Sequence, residues 1–343
     1  MKDSKFLRAL NLKSNAIPPV WFMRQAGRYL PEYQEIRKNY SNFLDMCKQP
    51  KICAELALQP IDRYGLDASI LFSDILTIPD AFNLGLAFHE GEGPKFSNPI
   101  SSAEDINRLD LFDVNALGYV FKAVEETKNL LPKDLPLIGF CGSPWTLAAY
   151  SIEGKGSKDF NKTKSFMKDH PAELQKFLEI LSQACFEYLR QQVLSGVNAI
   201  QIFDSWADLL SKSDLEIYSL QYTRILSQLL KADPVTENIP IILFEKAPKK
   251  EVVDLIFDDL ACMSLHWQEN IEKISFKLKS KYAIQGNLDP RILVESDDLI
   301  WSETQKICAI MSEYPGFIFN LGHGITPDIK PEKVKVMIDA IRA

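Results

Sequence analysis

The sequence predicts a single-domain α/β protein, a (β/α)8 barrel of the TIM type. Three observations lead there. Short apolar, β-branched or aromatic runs recur along the whole chain, separated by segments of helical periodicity. Such runs suit the buried strands of a parallel sheet covered by helices. Polar and reactive residues crowd directly after these runs, where the loops of such a barrel surround one mouth. The length of 343 residues, 46% hydrophobic and 25% charged, fits one barrel of about 250 residues with insertions. By periodicity alone, a doubly wound sheet accounts for the same alternation.

Eight runs qualify as strands: Pro19–Met23, Asp67–Phe72, Leu135–Phe140, Val197–Phe203, Ile239–Phe244, Leu260–Leu265, Tyr282–Gln285 and Gly316–Asn320. Pro171–Ser195 reads as a helix through Leu174, Phe177, Leu178, Leu181, Cys185, Tyr188 and Leu189, and Asp214–Lys231 through Leu215, Ile217, Tyr218, Tyr222, Ile225 and Leu229. Both follow a 3.6-residue period. Lys249–Asp258 and Pro331–Arg342 are shorter helices, the latter with proline in its first turn, where the missing N–H costs nothing. His89–Ser101, rich in Pro, Gly and Glu, reads as a surface excursion and a candidate hairpin outside the barrel. Met1–Asn15 is expected to be a flexible or helical leader.

Composition narrows the function. A net charge of −7 argues against a general nucleic-acid binder. It also means that any polyanionic ligand must be held by a local cluster of cations. Met1–Asn15 lacks the apolar stretch of a secretory signal, and no run approaches the ~20 apolar residues that span a bilayer. Neither Cys-x-x-Cys nor His-x-Cys occurs among the six cysteines, which suits free thiols in a reducing cytoplasm better than a zinc site. No Walker or dinucleotide fingerprint occurs. The expectation is a cytoplasmic protein with no metal, no cofactor and no membrane.

Five candidate motifs lie just after predicted strands. Pro19–Tyr29 sets Arg24 and Arg28 four residues apart with Gly27 between them. Two guanidiniums suit several carboxylates, because each bonds in bidentate fashion and stays charged when desolvated. A solvated pair on a loop would look the same. Phe72–Leu76 puts Asp74 after a very apolar run, as a carboxylate at the mouth or a plain helix N-cap. Gly142–Leu147 reads as a turn into a helix that carries Tyr150 about two turns in. Phe203–Trp206 brings Ser205 after a strand without the G-x-S-x-G setting of a nucleophile. Asn320–Gly324 is the sharpest signal: His323 lies between glycines that allow close backbone approach. His89, His170 and His266 lack that setting and are expected at surfaces or interfaces.

Read together, PVWFMRQAGRYLPEY, ILFSDIL, IPDAFNLGL, GFCGSPWTLAAY, IQIFDSWA, IQGNLDP and FNLGHGITPDIKPEKV resemble the uroporphyrinogen decarboxylase family, in order and spacing, over residues 19 to 334. The resemblance implies a (β/α)8 fold and usually a homodimer with facing clefts. It implies cofactor-independent conversion of uroporphyrinogen III to coproporphyrinogen III, four acetates losing CO2. It puts Asp74, Arg24 and Arg28 in catalytic positions. Arg24, Gln25, Ala26, Gly27, Arg28, Asp74, Tyr150, Ser205 and His323 would meet the tetrapyrrole.

Two stretches depart from the family pattern. Glu245-Lys246-Ala247-Pro248 stands where a Gly-rich Lys-Gly segment is common, and Ser264-Leu265-His266-Trp267 where Gly-Leu-Asp-Trp is common. The second replaces an acid near the mouth by His266. Two alternatives remain open: a barrel methyltransferase with a His-x-Cys zinc site, which this sequence lacks, and a non-catalytic tetrapyrrole-binding protein.

Overall fold

The computed structural model describes residues 4–89, 93–109, 111–246, 258–278 and 281–343. Strands β1 (Ser69–Ile70), β4 (Leu137–Gly142), β5 (Ala199–Asp204), β6 (Ile241–Glu245), β7 (Cys262–Ser264), β8 (Ala283–Leu288) and β9 (Phe317–Leu321) form one sheet in that spatial order. Every neighbouring pair is parallel. Among the described residues, helices lie between consecutive strands of this sheet other than β6 and β7, and the sheet curls into a (β/α)8-type barrel.

The first predicted strand, Pro19–Met23, closes the barrel without forming a regular ladder. Val20 bridges Phe319 of β9 in parallel. Phe319 N–H donates to Pro19 O at 2.9 Å, and Asp67 N–H to Val20 O at 2.9 Å. Pro19 has no N–H to donate, and Val20 N–H goes instead to the Asp67 carboxylate at 2.9 Å. Proline and a carboxylate acceptor therefore replace part of the ladder between β9 and β1.

Several other strands run further than expected at their C-terminal ends. Gly142, Asp204, Glu245 and Asn287 lie inside β4, β5, β6 and β8, not in the loops after them. Ladder bonds belong to the backbone and do not stop at the first polar side chain.

Inside the barrel, Trp21, Met23, Ala68, Ile138, Ala199, Ile242, Phe244, Cys262, Ala283 and Ile318 form one buried cluster. Phe6, Ala9 and Leu10 join it from the N-terminal helix Lys5–Leu10. This helix plugs the base of the barrel, so over residues 5–10 the leader takes the helical of its two expected forms. The cluster includes a polar layer: Trp21 Nε1–H donates to Gln285 Oε1 at 2.8 Å, and Gln285 Nε2–H to Ser264 Oγ at 2.9 Å. Each buried donor here has an acceptor, as burial demands.

The helix Pro171–Leu194 buries all seven apolar residues of its predicted face. The segment after β5 differs. It begins as Lys212–Asp214, passes through a π-turn at Leu215–Leu220, and continues as Gln221–Ala232. The wider turn admits an extra residue and rotates the helix beyond it. Leu226 and Leu230 are buried in the core, Ile225 packs against it only partly buried, Leu229 is half-buried, and Ile217 turns outward. The helix Pro331–Arg342 forms as expected, and Lys249–Asp258 falls, save Asp258, outside the described residues. The excursion near residue 90 is an antiparallel hairpin of β2 (Leu86–His89) and β3 (Gly93–Phe96). It is paired through Phe96 N–H to Gly154 O at 2.8 Å.

Candidate active site

The C-terminal ends of the strands carry the candidate residues. The loop after Met23 is tied to the loop after β9 by two bonds: Met23 N–H donates to Asn320 Oδ1 at 3.2 Å, and Ile325 N–H to Met23 O at 3.1 Å. Arg24 and His323 are thereby held on neighbouring loops, although nearly the whole chain separates them in sequence. Arg24 has φ +63°, a left-handed conformation that costs energy for a residue with a Cβ. Gly27 lies below it, where a Cβ would meet Arg24 O at 3.1 Å.

Arg24 and Arg28 are both exposed, and neither is paired with an acid among the described residues. Gln25 turns inward and is buried. Its Oε1 accepts from Phe22 N–H and its Nε2–H donates to Ala68 O, each at 3.3 Å, so its side chain is already committed. Ala26 and Gly27 are half-buried.

Asp74 begins a tight turn. Its Oδ1 accepts from Leu76 N–H at 2.8 Å and its backbone carbonyl from Thr77 Oγ1–H at 3.0 Å. The other carboxylate oxygen has no partner among the described residues. Burial pushes the Asp74 pKa above the usual carboxylate range. The Leu76 N–H and the Arg24 charge oppose that rise.

Tyr150 sits on the helix Pro144–Glu153, packed edge-on against Trp206 at 5.7 Å and Phe160 at 6.0 Å. Burial chiefly raises its pKa, with the Asp74 charge adding and the Trp206 indole and Arg24 opposing. The start of that helix is locked to β5 through Asp204. Ser143 Oγ–H and Thr146 Oγ1–H both donate to Asp204 Oδ1 at 2.9 Å, and Ser219 Oγ–H donates to Oδ2. Asp204 is thus spent on the helix layer, while the next residue, Ser205, is half-buried at the strand end beside Trp206.

His323 is half-buried. Burial, then the Arg24 and Lys246 charges, lower its pKa below that of a free imidazole, against a hydrogen bond with the Gly324 backbone and the Asp208 charge. Arg24 is therefore the common neighbour of Asp74, Tyr150 and His323. Arg28 lies further out, near Tyr33.

The sequence places Lys246 and His266 near this mouth without giving either a role there, and it misses Asp208. Lys246 lies over the Trp206 ring at 4.8 Å and pairs with Asp208 at 3.1 Å. Asp208 comes soon after β5, and that position was the available signal. His266 corrects the expectation of a surface residue: it is 4% exposed and meets His323 edge-to-face at 6.3 Å. His170 occupies the N-cap position of Pro171–Leu194 without a side-chain capping bond, and the His89 side chain lies outside the described residues. The six cysteines are free thiols, five of them buried. Among the described residues no three His, Cys, Asp or Glu side chains gather as metal ligands would.

Fold and mouth together define a barrel protein that carries a buried carboxylate, Asp74, under the charge of Arg24, a guanidinium without an acid partner among the described residues. Comparison with known proteins is more specific. The family model for uroporphyrinogen decarboxylase (URO-D) matches residues 1–343. Uroporphyrinogen decarboxylase of Ruthia magnifica is 44% identical over 337 residues, covering 98% of this chain and 97% of the relative. That of Legionella pneumophila is 43% identical over 343 residues, covering 99% and 97%. A solved methyltransferase from Methanosarcina mazei superposes with a TM-score of 0.74 at 19% identity, covering 99% of this chain and 98% of its own; that likeness concerns the fold alone. The chain belongs to the uroporphyrinogen decarboxylase family, and it is a carboxy-lyase.

Proposed function

We propose that the cleft binds uroporphyrinogen III and removes its four acetate carboxylates, giving coproporphyrinogen III and four CO2, with Asp74 at the centre. One observation carries the reading. Asp74 keeps a carboxylate oxygen without a partner among the described residues, and the Arg24 charge that acts on it also acts on Tyr150 and His323.

Losing CO2 from an acetate leaves an electron pair that needs an acceptor. Without a cofactor the substrate supplies it: a proton added to a pyrrole carbon creates an iminium-like cation. The C–CO2 bond then breaks, its electrons neutralise the cation, and a second proton on the exocyclic carbon gives the methyl group. The proton on the ring carbon is returned, so each turn consumes one proton net. Asp74 accepts the pyrrole N–H groups and faces the charge that develops on them, which stabilises the transition state more than the ground state.

Arg24 and Arg28 hold acetates and propionates, with Tyr150, Ser205 and His323 donating further hydrogen bonds. Ala26 and Gly27 contribute backbone to the same stretch, as does Gln25, whose side chain is committed inward. The local guanidiniums offset the net charge of −7, which itself disfavours nucleic acid as a partner.

A homodimer with facing clefts belongs to this reading and rests on the family resemblance; light scattering tests it. A cytoplasmic location is supported by the free thiols. No helix of the described residues is long and apolar enough to cross a membrane.

The deciding assay is anaerobic incubation with uroporphyrinogen III, without added metal, then oxidation and chromatography. Stepwise seven-, six-, five- and four-carboxylate products are expected. Folded protein that binds the substrate and releases no CO2 would leave a tetrapyrrole-binding protein instead.

A further inference from the structure

We propose that His266 is a positioning residue for His323: its ring, fixed by its own loop, props His323 edge-on and holds an imidazole where an acid would set negative charge against the incoming carboxylates. The functional half of this proposal rests on the reading that His323 meets the substrate.

The loop after β7 is built to hold this ring. Leu265 N–H donates to Gln285 O at 2.8 Å and Trp267 N–H to Gly322 O at 3.2 Å. Asn287 Nδ2–H donates to His266 O at 3.0 Å and to Glu269 O at 2.9 Å. The approach to β9 requires Gly322, because a Cβ there would lie 2.2 Å from Trp267 N. Trp267 is in turn covered by the Arg291 guanidinium at 4.1 Å, itself paired with Asp289 at 2.6 Å. Within this frame His266 Nδ1 accepts from Gln268 N–H at 3.4 Å. An accepting Nδ1 leaves the proton on Nε2, so the ring is held as one neutral tautomer.

The His266 ring packs against Phe244 at 6.5 Å, Trp267 at 5.2 Å and His323 at 6.3 Å, the last at 88°. Charged groups reach the pair from every side. Arg24 acts on His323 from the first loop, Lys246 and Asp208 act on both imidazoles from just after β6 and from the segment after β5, and Asp289 acts on His266 from just after β8. Burial and the His323 and Lys246 charges push His266 down to about 4, against the two acids. Both imidazoles thus stay uncharged at neutral pH. His323 then offers a hydrogen bond without an ion pair, and the flank of the cleft adds no anion.

The test uses the full chain with isotopically labelled histidines, of which there are four. Imidazole titrations are followed by NMR, without substrate, in the native protein and in the His266→Asp and His266→Asn variants. Aspartate and asparagine match in size, and each leaves an oxygen able to accept from Gln268, so the two variants differ chiefly in charge. His323 is expected to titrate about half to two pH units higher with aspartate than with asparagine, the effect of one charge about 6 Å away at effective dielectrics between water and protein. KM for uroporphyrinogen III should be higher in the aspartate variant, and its kcat/KM acid limb displaced in step.

Identical His323 titrations in the two variants overturn the proposal. A native His266 that is charged at pH 6 also overturns it, and that measurement needs no variant to fold. Displaced titrations with coincident KM and kcat/KM limbs keep the coupling between the rings but remove His323 from the substrate, which separates failure of that reading from failure of the pairing.

Discussion

Gly324 and Arg24 compete for one space: a methyl group at Gly324 would lie 2.6 Å from Arg24 Cδ and 2.9 Å from its Nε. The missing side chain of one residue is the seat of the other. The conflict would be with a flexible, exposed side chain, so the fold can absorb it while the guanidinium cannot stay where it is. Gly324→Ala is expected to leave the urea midpoint nearly unchanged and to lower kcat/KM about tenfold to a hundredfold, the usual cost of an ångström-scale misplacement. Full activity in that variant would mean that the position of Arg24 does not matter.

Asp74 should matter to the chemistry more than to affinity. Asp74→Asn keeps the turn, because an amide oxygen still accepts from Leu76 N–H, but removes the charge opposite the developing cation. Turnover is expected to fall about 100- to 1000-fold with substrate binding within a few-fold. The native acid limb of kcat should lie above the ordinary carboxylate range, since burial raises this group, and it should vanish in the variant. Equal losses in turnover and binding would reduce Asp74 to an anchor.

How much of this was legible in the sequence varies with the interaction concerned. Side-chain periodicity finds the strands and the long helix, because burial and periodicity are the same information. It misjudges the strand ends at Asp204 and Glu245, where backbone bonding continues past the last apolar residue. It also misses the rotation after the π-turn at Leu215–Leu220, since one extra residue in a turn leaves no mark on composition. At the mouth, Arg24, Asp74 and His323 stand out by their neighbours in sequence. His266 does not, because its meeting with His323 depends on how closely Trp267 approaches Gly322 across two strands.

Arg28 is exposed, without an acid partner among the described residues, and only the Arg24 charge, not that of Arg28, acts on Asp74. It is placed to attract and hold an outer carboxylate, not to act on the reacting ring. Arg28→Ala is expected to raise KM about five- to tenfold with kcat little changed, in keeping with the loss of one charge-assisted contact. Native affinity should weaken between low and physiological salt, and the variant should show a shallower dependence because one screened attraction is gone. An unchanged KM would remove Arg28 from the binding set.

The imidazole of His266 also ties stability to pH. In the folded protein it is pushed down to about 4, against about 6.5 in an unfolded chain. Between those values the unfolded chain takes up a proton that the folded one refuses, so stability falls as the pH drops through this window. Going from pH 7 to pH 5 removes at most about 2 kcal/mol through this residue, and His323, shifted in the same direction, adds to the loss. His266→Asn has no such proton to refuse. Urea denaturation at pH 7, 6 and 5 should therefore find the variant losing less stability than the native protein over the interval, by up to about 2 kcal/mol. Parallel losses would mean that His266 already accepts its proton in the folded protein, with water reaching the ring from the cleft.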